Sequence, residues 1–155
     1  MEFTLFKFLH VLTMFLAVAS AVIPEVVLHR IAARNSVPAT RAMADLAAKV
    51  GKLLPLLFVG GAIFGLLAAA TGEIDFLAPW LIAAYVVFVI AMVTGATTTG
   101  PWAGRMAAAA AASPDDAPSA ELAALSHDRR AVIGSVILLT SIVVIIFLMV
   151  VKPGG

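Results

Sequence analysis

Four long apolar runs decide what this chain can fold into, because each is long enough to cross a lipid bilayer. They cover approximately residues 3–28, 53–71, 79–99 and 131–151, and a hydrocarbon core of about 30 Å needs roughly 20 apolar helical residues. Inside such a core every backbone N–H and C=O must be paired within the protein, which a helix achieves along a single segment. The composition agrees: 63% of the 155 residues are hydrophobic, 12% are charged and mean hydropathy is +1.10. Soluble domains have roughly 45–50% apolar and 25% charged residues. The predicted fold is all-α, a single integral membrane domain over residues 1–155 arranged as an up-down four-helix bundle.

The first run is read as a permanent span and not as a cleaved signal. No basic segment precedes it, it exceeds the usual apolar length of such signals, and "ASAVIPE" only weakly imitates a small-residue cleavage site. Orientation follows from the basic residues, which are retained on the cytoplasmic side. Arg30, Arg34, Arg41, Lys49 and Lys52 lie between the first two spans, and Arg105, Arg129 and Arg130 between the last two, leaving Lys7 and Lys152 on the opposite side. This distribution predicts a multi-pass protein of a bacterial inner (plasma) membrane, with both long connections in the cytoplasm. Both termini and the short "GEIDFLAP" hairpin then face outward.

The long connections themselves read as helical. Ser36 is a candidate N-cap with Pro38 in the first turn, and Ala42, Met43, Leu46, Ala47 and Val50 recur at helical spacing. A second helix running from Pro38 to Thr71 would be roughly 51 Å long, so about 20 Å of it projects beyond the hydrocarbon core. The third helix should continue through "RMAAAAAAS", since alanine is the best helix former, and stop at "SPDDAP". Pro118 should then start a helix that runs through "SAELAALSHDRR" into the fourth span. The last three helices thus extend into the cytoplasm as a stalk.

Small residues indicate where helices can approach each other. In lipid, close backbone packing drives helix association, and Gly61 and Gly65 have the G-x-x-x-G spacing. They serve either packing within the chain or a self-association face. Gly95, Gly100 and Gly104 offer a similar surface on the third helix. The threonines at 97–99 can return hydrogen bonds to the preceding turn, easing the bend that Gly100 and Pro101 invite.

Polar side chains within the spans carry the functional signal, because they are costly in lipid and normally face a partner or a cavity. Lys7 lies about 6 Å in from Phe3 by helix rise and can reach the interface as an anchor. His10 lies roughly 10 Å in and is too short to do so. Its imidazole could bond a facing hydroxyl, relay protons, or ligate haem iron through one nitrogen with the other held by an acceptor. His29 is about 28 Å further along the helix, so the two histidines cannot grip one iron. A bis-axial haem at His10 would need a second chain or a non-histidine ligand.

At the other end of the first helix, Glu25 stands one turn before His29, a spacing at which the side chains touch. Two readings are open: an electrostatic clasp near the headgroups, or a metal or proton site completed by His127 and Asp128. The chain has no cysteine, which excludes disulfides, thiolate metal sites and the usual thioether-linked haem. A net charge of +1 points to no nucleic-acid partner, and no phosphate loop, zincin helix or nucleophilic triad is present in the sequence pattern.

"FKFLHVL", "GKLLPLLFVGGAIFGLLAA" and "APWLIAAYVVFVIAMVTG", with a basic residue soon after, together resemble the four-helix bacterial predicted integral membrane proteins of unknown function. More distantly, the first-helix "LH" resembles the CopD-type copper-resistance and HemJ-type protoporphyrinogen oxidase families. The HemJ-type resemblance implies haem at His10 alone, although "TMFLAVAS" here replaces the tryptophan-and-glycine element expected after that histidine. Two functions follow as expectations. One is a non-catalytic accessory or structural subunit without cofactor, contacting lipid and other membrane subunits or a second copy. The other is a haem-b redox protein using His10 near quinone. A transporter ranks behind both, since a single intramembrane ionisable pair makes a poor pathway.

Overall fold

A computed structural model describes residues 1–34 and 36–154. The chain is 84% helical, and no strand occurs among the described residues. Helix α1 spans Glu2–Ala32, α2 Val37–Gly51, α3 Leu54–Thr71 and α4 Pro79–Thr94. A π-helical turn at Gly95–Thr99 leads into α5, Gly100–Ala112, followed by α6, Ala120–Ser126, and α7, Arg129–Val151. Four helical rods are long and apolar enough to cross a membrane: Glu2–Ala32, Val37–Thr71, Pro79–Ala112 and Ala120–Val151. The expected four-helix membrane fold is thus present, and all four rods, at 31, 35, 34 and 32 residues, are longer than a span requires.

Each of the last three rods is articulated: the third near the bend expected at Gly100 and Pro101, the second and fourth where the sequence predicts an unbroken helix. Pro55 has no N–H to give the Gly51 carbonyl one turn earlier, and the chain tightens there, with Leu53 N–H bonding Val50 O at 2.9 Å. Lys52 and Leu53 keep right-handed helical angles, so the rod bends without ending. In the third rod Pro101 cannot donate to Thr97. The turn before it widens, with Gly100 N–H bonding Gly95 O, five residues back. The hydroxyls of Thr94 and Thr97 return to Ile90 O and Val93 O at 2.8 and 2.7 Å, as expected for Thr97.

The fourth rod stops outright. Asp128 adopts an extended conformation and its carboxylate accepts from Arg130 N–H at 2.9 Å, which ends α6 at Ser126 and starts α7 as an N-cap does. Helix α6 begins two residues after Pro118, capped by Ser119 through Leu122 N–H. Ser36 occupies the N-cap position of α2, but its side chain makes no capping bond; its carbonyl instead accepts from the Thr40 hydroxyl at 2.8 Å. Helix α1 runs through Pro24.

The spans associate as two antiparallel pairs, α1 with α3 and α4 with α7. Between the pairs the contacts are sparse: an edge-on pair of Phe58 and Phe88 with ring centroids 6.2 Å apart, and the approach of α1 to α7 near Glu25. The larger buried core lies at the end bearing the basic connections, where Leu28, Val37, Trp102, Met106, Leu122 and Ala131 meet. At the opposite end Trp80, Leu81, Ala84 and Leu148 join α4 to α7. In between, large apolar side chains such as Phe15, Leu56, Val89 and Val143 are exposed, which suits helices whose outer faces meet lipid.

Candidate functional site

His10 lies between α1 and α3. Its Nδ1 is 2.7 Å from Gly61 O, and its ring rests directly over Gly65, where a Cβ would fall 2.8 Å from Nδ1 and 2.9 Å from Cε1. A side chain at residue 65 would therefore occupy the space of the imidazole. Gly61 plays a milder part, since a Cβ there would meet the flexible end of Met14, at 2.5 Å from Sδ. The G-x-x-x-G pair thus faces α1 of its own chain. The carbonyl accepts from Nδ1–H, and among the described residues Nε2 has no hydrogen-bond partner. A histidine poised through one nitrogen on a backbone carbonyl is also how metal-ligating imidazoles are commonly oriented.

The second cluster lies at the basic end, where α1 meets α5 and α7. Ser135 Oγ bonds the Glu25 carboxylate, lies 3.0 Å from His29 Nε2 and 3.0 Å from Ala131 O. A hydroxyl has one proton for these neighbours. When Glu25 is ionised that proton goes to the carboxylate, and His29 donates its Nε2–H to the serine oxygen. The order is acid, hydroxyl, imidazole. A nucleophilic serine requires the imidazole in the middle, so this arrangement can hold a proton or pass one between His29 and Glu25 but does not activate Ser135.

Trp102 fixes the imidazole from its face. The two rings stack with centroids 4.0 Å apart and planes 14° off parallel. Trp102 is itself 1% exposed and donates Nε1–H to Leu125 O at 3.0 Å. The tryptophan therefore ties α1, α5 and the end of α6 together.

His127 and Asp128 do not join this cluster. His127 Nδ1 turns back to Ala123 O at 3.0 Å, while Asp128 caps α7 and meets Arg105 Nη2 at 3.4 Å. The four side chains considered for one metal site are thus divided, Glu25 and His29 meeting through Ser135 and the other two bound elsewhere. No group of three or more His, Cys, Asp or Glu that could hold a metal occurs among the described residues. Lys7 is exposed, with Nζ 5.7 Å above the Phe3 ring, and Lys152 Nζ lies 5.3 Å above Trp80. Both lysines sit on aromatic rings near the chain ends.

Three contributors were not read from the sequence. Ser135 is a lone hydroxyl in "AVIGSVILL", on the same chain segment as the basic residues that start α7. Trp102 is a single aromatic beside Pro101 before an alanine run; an isolated bulky residue in such a setting is a signal of a packing centre. Arg41 is the third: Nη1 pairs with Asp115 at 2.8 Å, Nη2 donates to Ser113 O at 2.8 Å and Nε to Ala110 O at 3.0 Å. It thereby serves carbonyls that the end of α5 leaves without helical partners.

The fold and these clusters define a multi-pass α-helical membrane protein whose first span carries one histidine bonded to its hairpin partner and another bonded across to the second hairpin. No protein family, curated protein or solved structure matches the chain.

Proposed function

We propose that the chain is a non-catalytic accessory or structural subunit of a larger membrane assembly, with its basic connections in the cytoplasm. The observation that carries this reading is the uneven distribution of packing. The core is concentrated at the basic end, whereas the two span pairs touch little within the apolar region and keep large side chains such as Leu12, Phe15, Ile63 and Phe147 on their outer faces. A compact head with sparsely joined hairpins suits lateral insertion among other helices, and Arg41 stiffens the head that a cytoplasmic partner would meet. Purification in mild detergent followed by native mass measurement tests this: a companion chain or a defined multimer is expected. A lone monomer would overturn it.

One observation favours a second reading, a haem-b-binding redox protein. His10 offers a carbonyl-oriented imidazole with a free Nε2, the arrangement an axial ligand needs. The fit is to one axial position, since His29 and His127 have other partners; bound haem would supply one-electron chemistry there. A stoichiometric Soret band lost in His10→Ala would replace the subunit reading with this one.

A further inference from the structure

Besides the clusters on α1, the basic end carries a groove of about 390 Å³ between the third rod and α7, within the range of about 300–1,000 Å³ typical of small-molecule sites. Its two walls repeat one order of chemistry. Along the third rod, from the basic end inward, come Arg105, then Thr98 and Thr97, then Val93; along α7 come Arg130, then Ile133, then Ile137. Seven residues separate Arg130 from Ile137 and twelve separate Arg105 from Val93, so the change from charge to hydrocarbon takes about 10 Å on one wall and about 18 Å on the other. The groove is cationic at its mouth, hydroxylated on one side below it, and apolar at depth.

The mouth carries one unbalanced positive charge. Asp128 lies there with Arg105 and Arg130, but its carboxylate is engaged by Arg105 Nη2 at 3.4 Å and by Arg130 N–H at 2.9 Å. Two guanidiniums less one carboxylate leaves +1. Among the described residues the Arg130 guanidinium has no hydrogen-bond partner and the Thr98 hydroxyl has none. The floor is closed by contact between the walls: a Cβ on Gly134 would fall 2.7 Å from Thr98 Cγ2 and 3.1 Å from Thr99 Cγ2. The widened π turn presents this threonine segment, and such turns recur at functional sites.

We propose that this groove is a binding site for one anionic glycerophospholipid. A phosphodiester matches the single net charge at the mouth, with Arg130 as the bidentate donor that Arg supplies to phosphate. The Thr98 hydroxyl, lying below the arginines, donates to an ester oxygen. The first methylenes of an acyl chain lie over Val93, Ile133 and Ile137, and the remainder continues along the outer faces of α4 and α7. Basic pockets between membrane helices hold anionic headgroups in this way. The site does not depend on whether the protein is a subunit or binds haem.

The test uses the full chain in detergent, delipidated and read by native mass spectrometry against phosphatidylglycerol, phosphatidylcholine and glycerol 3-phosphate. One equivalent of phosphatidylglycerol is expected to be retained in preference to phosphatidylcholine, with glycerol 3-phosphate failing to compete. Arg130→Gln should weaken retention about fivefold and the Arg105→Gln, Arg130→Gln pair about 25-fold, from the electrostatic worth of each arginine near anionic lipid. Arg129→Gln, which removes the same charge one residue away from the groove, should leave retention unchanged. Equal retention of the two lipids would overturn the proposal, as would an equal loss in Arg129→Gln, which would mark a diffuse surface charge. Competition by glycerol 3-phosphate would overturn it in favour of a soluble phosphate ester. Wild-type competition among the three probes decides the matter even if a variant fails to fold.

Discussion

Replacing Gly65 by alanine should separate a packing glycine from a merely small one. The added Cβ would lie 2.8 Å from His10 Nδ1 and 2.9 Å from Cε1, distances at which one group must move. The imidazole is held in place by its 2.7 Å bond to Gly61 O, so relief costs that bond. In membrane proteins such a bond is worth about 0.6 kcal/mol on average and up to about 1.7, and overpacking adds about 1–3 kcal/mol. Alanine returns up to about 1 kcal/mol of helix propensity. The net expectation is a loss of about 1–3 kcal/mol.

The neighbouring glycines supply the contrast. At Gly61 the new Cβ meets Met14 Sδ and Cγ, the end of a flexible side chain that can swing away, so the variant should stay within about 1 kcal/mol of the parent. At Gly60 the nearest atom is Thr13 Cγ2 at 3.8 Å, an ordinary contact, and alanine there should stabilise by about 0.5–1 kcal/mol. Reversible unfolding by SDS in mixed micelles, followed by far-ultraviolet circular dichroism, gives each value. The decisive measurement is a double-mutant cycle: with His10→Ala already present, Gly65→Ala should become neutral or stabilising. An equal cost in both backgrounds would refute the claim that the imidazole is what Gly65 accommodates.

Arg41→Ala should destabilise the head by about 1 kcal/mol, the lower end of the cost of unpaired carbonyls, because the side chain is 38% exposed and water partly replaces it. Hydrogen exchange should rise in α2 and α5 and not in the spans, and Arg41→Lys should rescue only part, since lysine lacks the fork. Trp102→Phe keeps a ring over His29 but removes one donor from Leu125 O, which Asp128 N–H still serves at 3.2 Å, costing about 0.5–1.5 kcal/mol in the same unfolding assay. Ser135→Ala breaks the link between His29 and Glu25; since the chain has no cysteine, spin labels on Leu5→Cys and Val150→Cys can follow the hairpins, and their distance distribution should broaden. A distribution unchanged from the parent would show that Ser135 does not hold the hairpins together.

The spans were legible because membrane solvation imposes one requirement on every residue of a segment, so length and apolar content suffice. The articulations were legible only in part. Pro101 announces a disturbance and its threonines announce compensation, but that the turn would widen to a five-residue bond depends on how the rod packs against Gly134. Asp128 is a candidate ligand by its chemistry, whereas its backbone conformation makes it a cap; residue type alone does not separate the two uses of a carboxylate. His10 was legible as a residue in need of a partner, but a backbone carbonyl as that partner was not, because every helical residue carries one. Ser135 was hidden by distance: 110 positions separate it from Glu25, and no spacing rule within a helix relates residues on different spans.

What these contacts share is α1. Through His10 it is fixed to α3, and through His29 and Glu25 it is fixed to α7, with Trp102 closing over the second junction. The first bond lies within one hairpin and holds its geometry; the second lies between hairpins and sets the angle between them. Away from that junction, the hairpins are joined across α3 and α4 by Phe58 and Phe88, whose edge contact contributes about 0.5–1.5 kcal/mol beyond burial. A partner or lipid acting at the basic end would therefore work on a short lever arm, with the far ends of the hairpins moving most. The proposed lipid groove adjoins this junction on α7, since Ala131 lines the groove and its carbonyl lies 3.0 Å from the Ser135 hydroxyl.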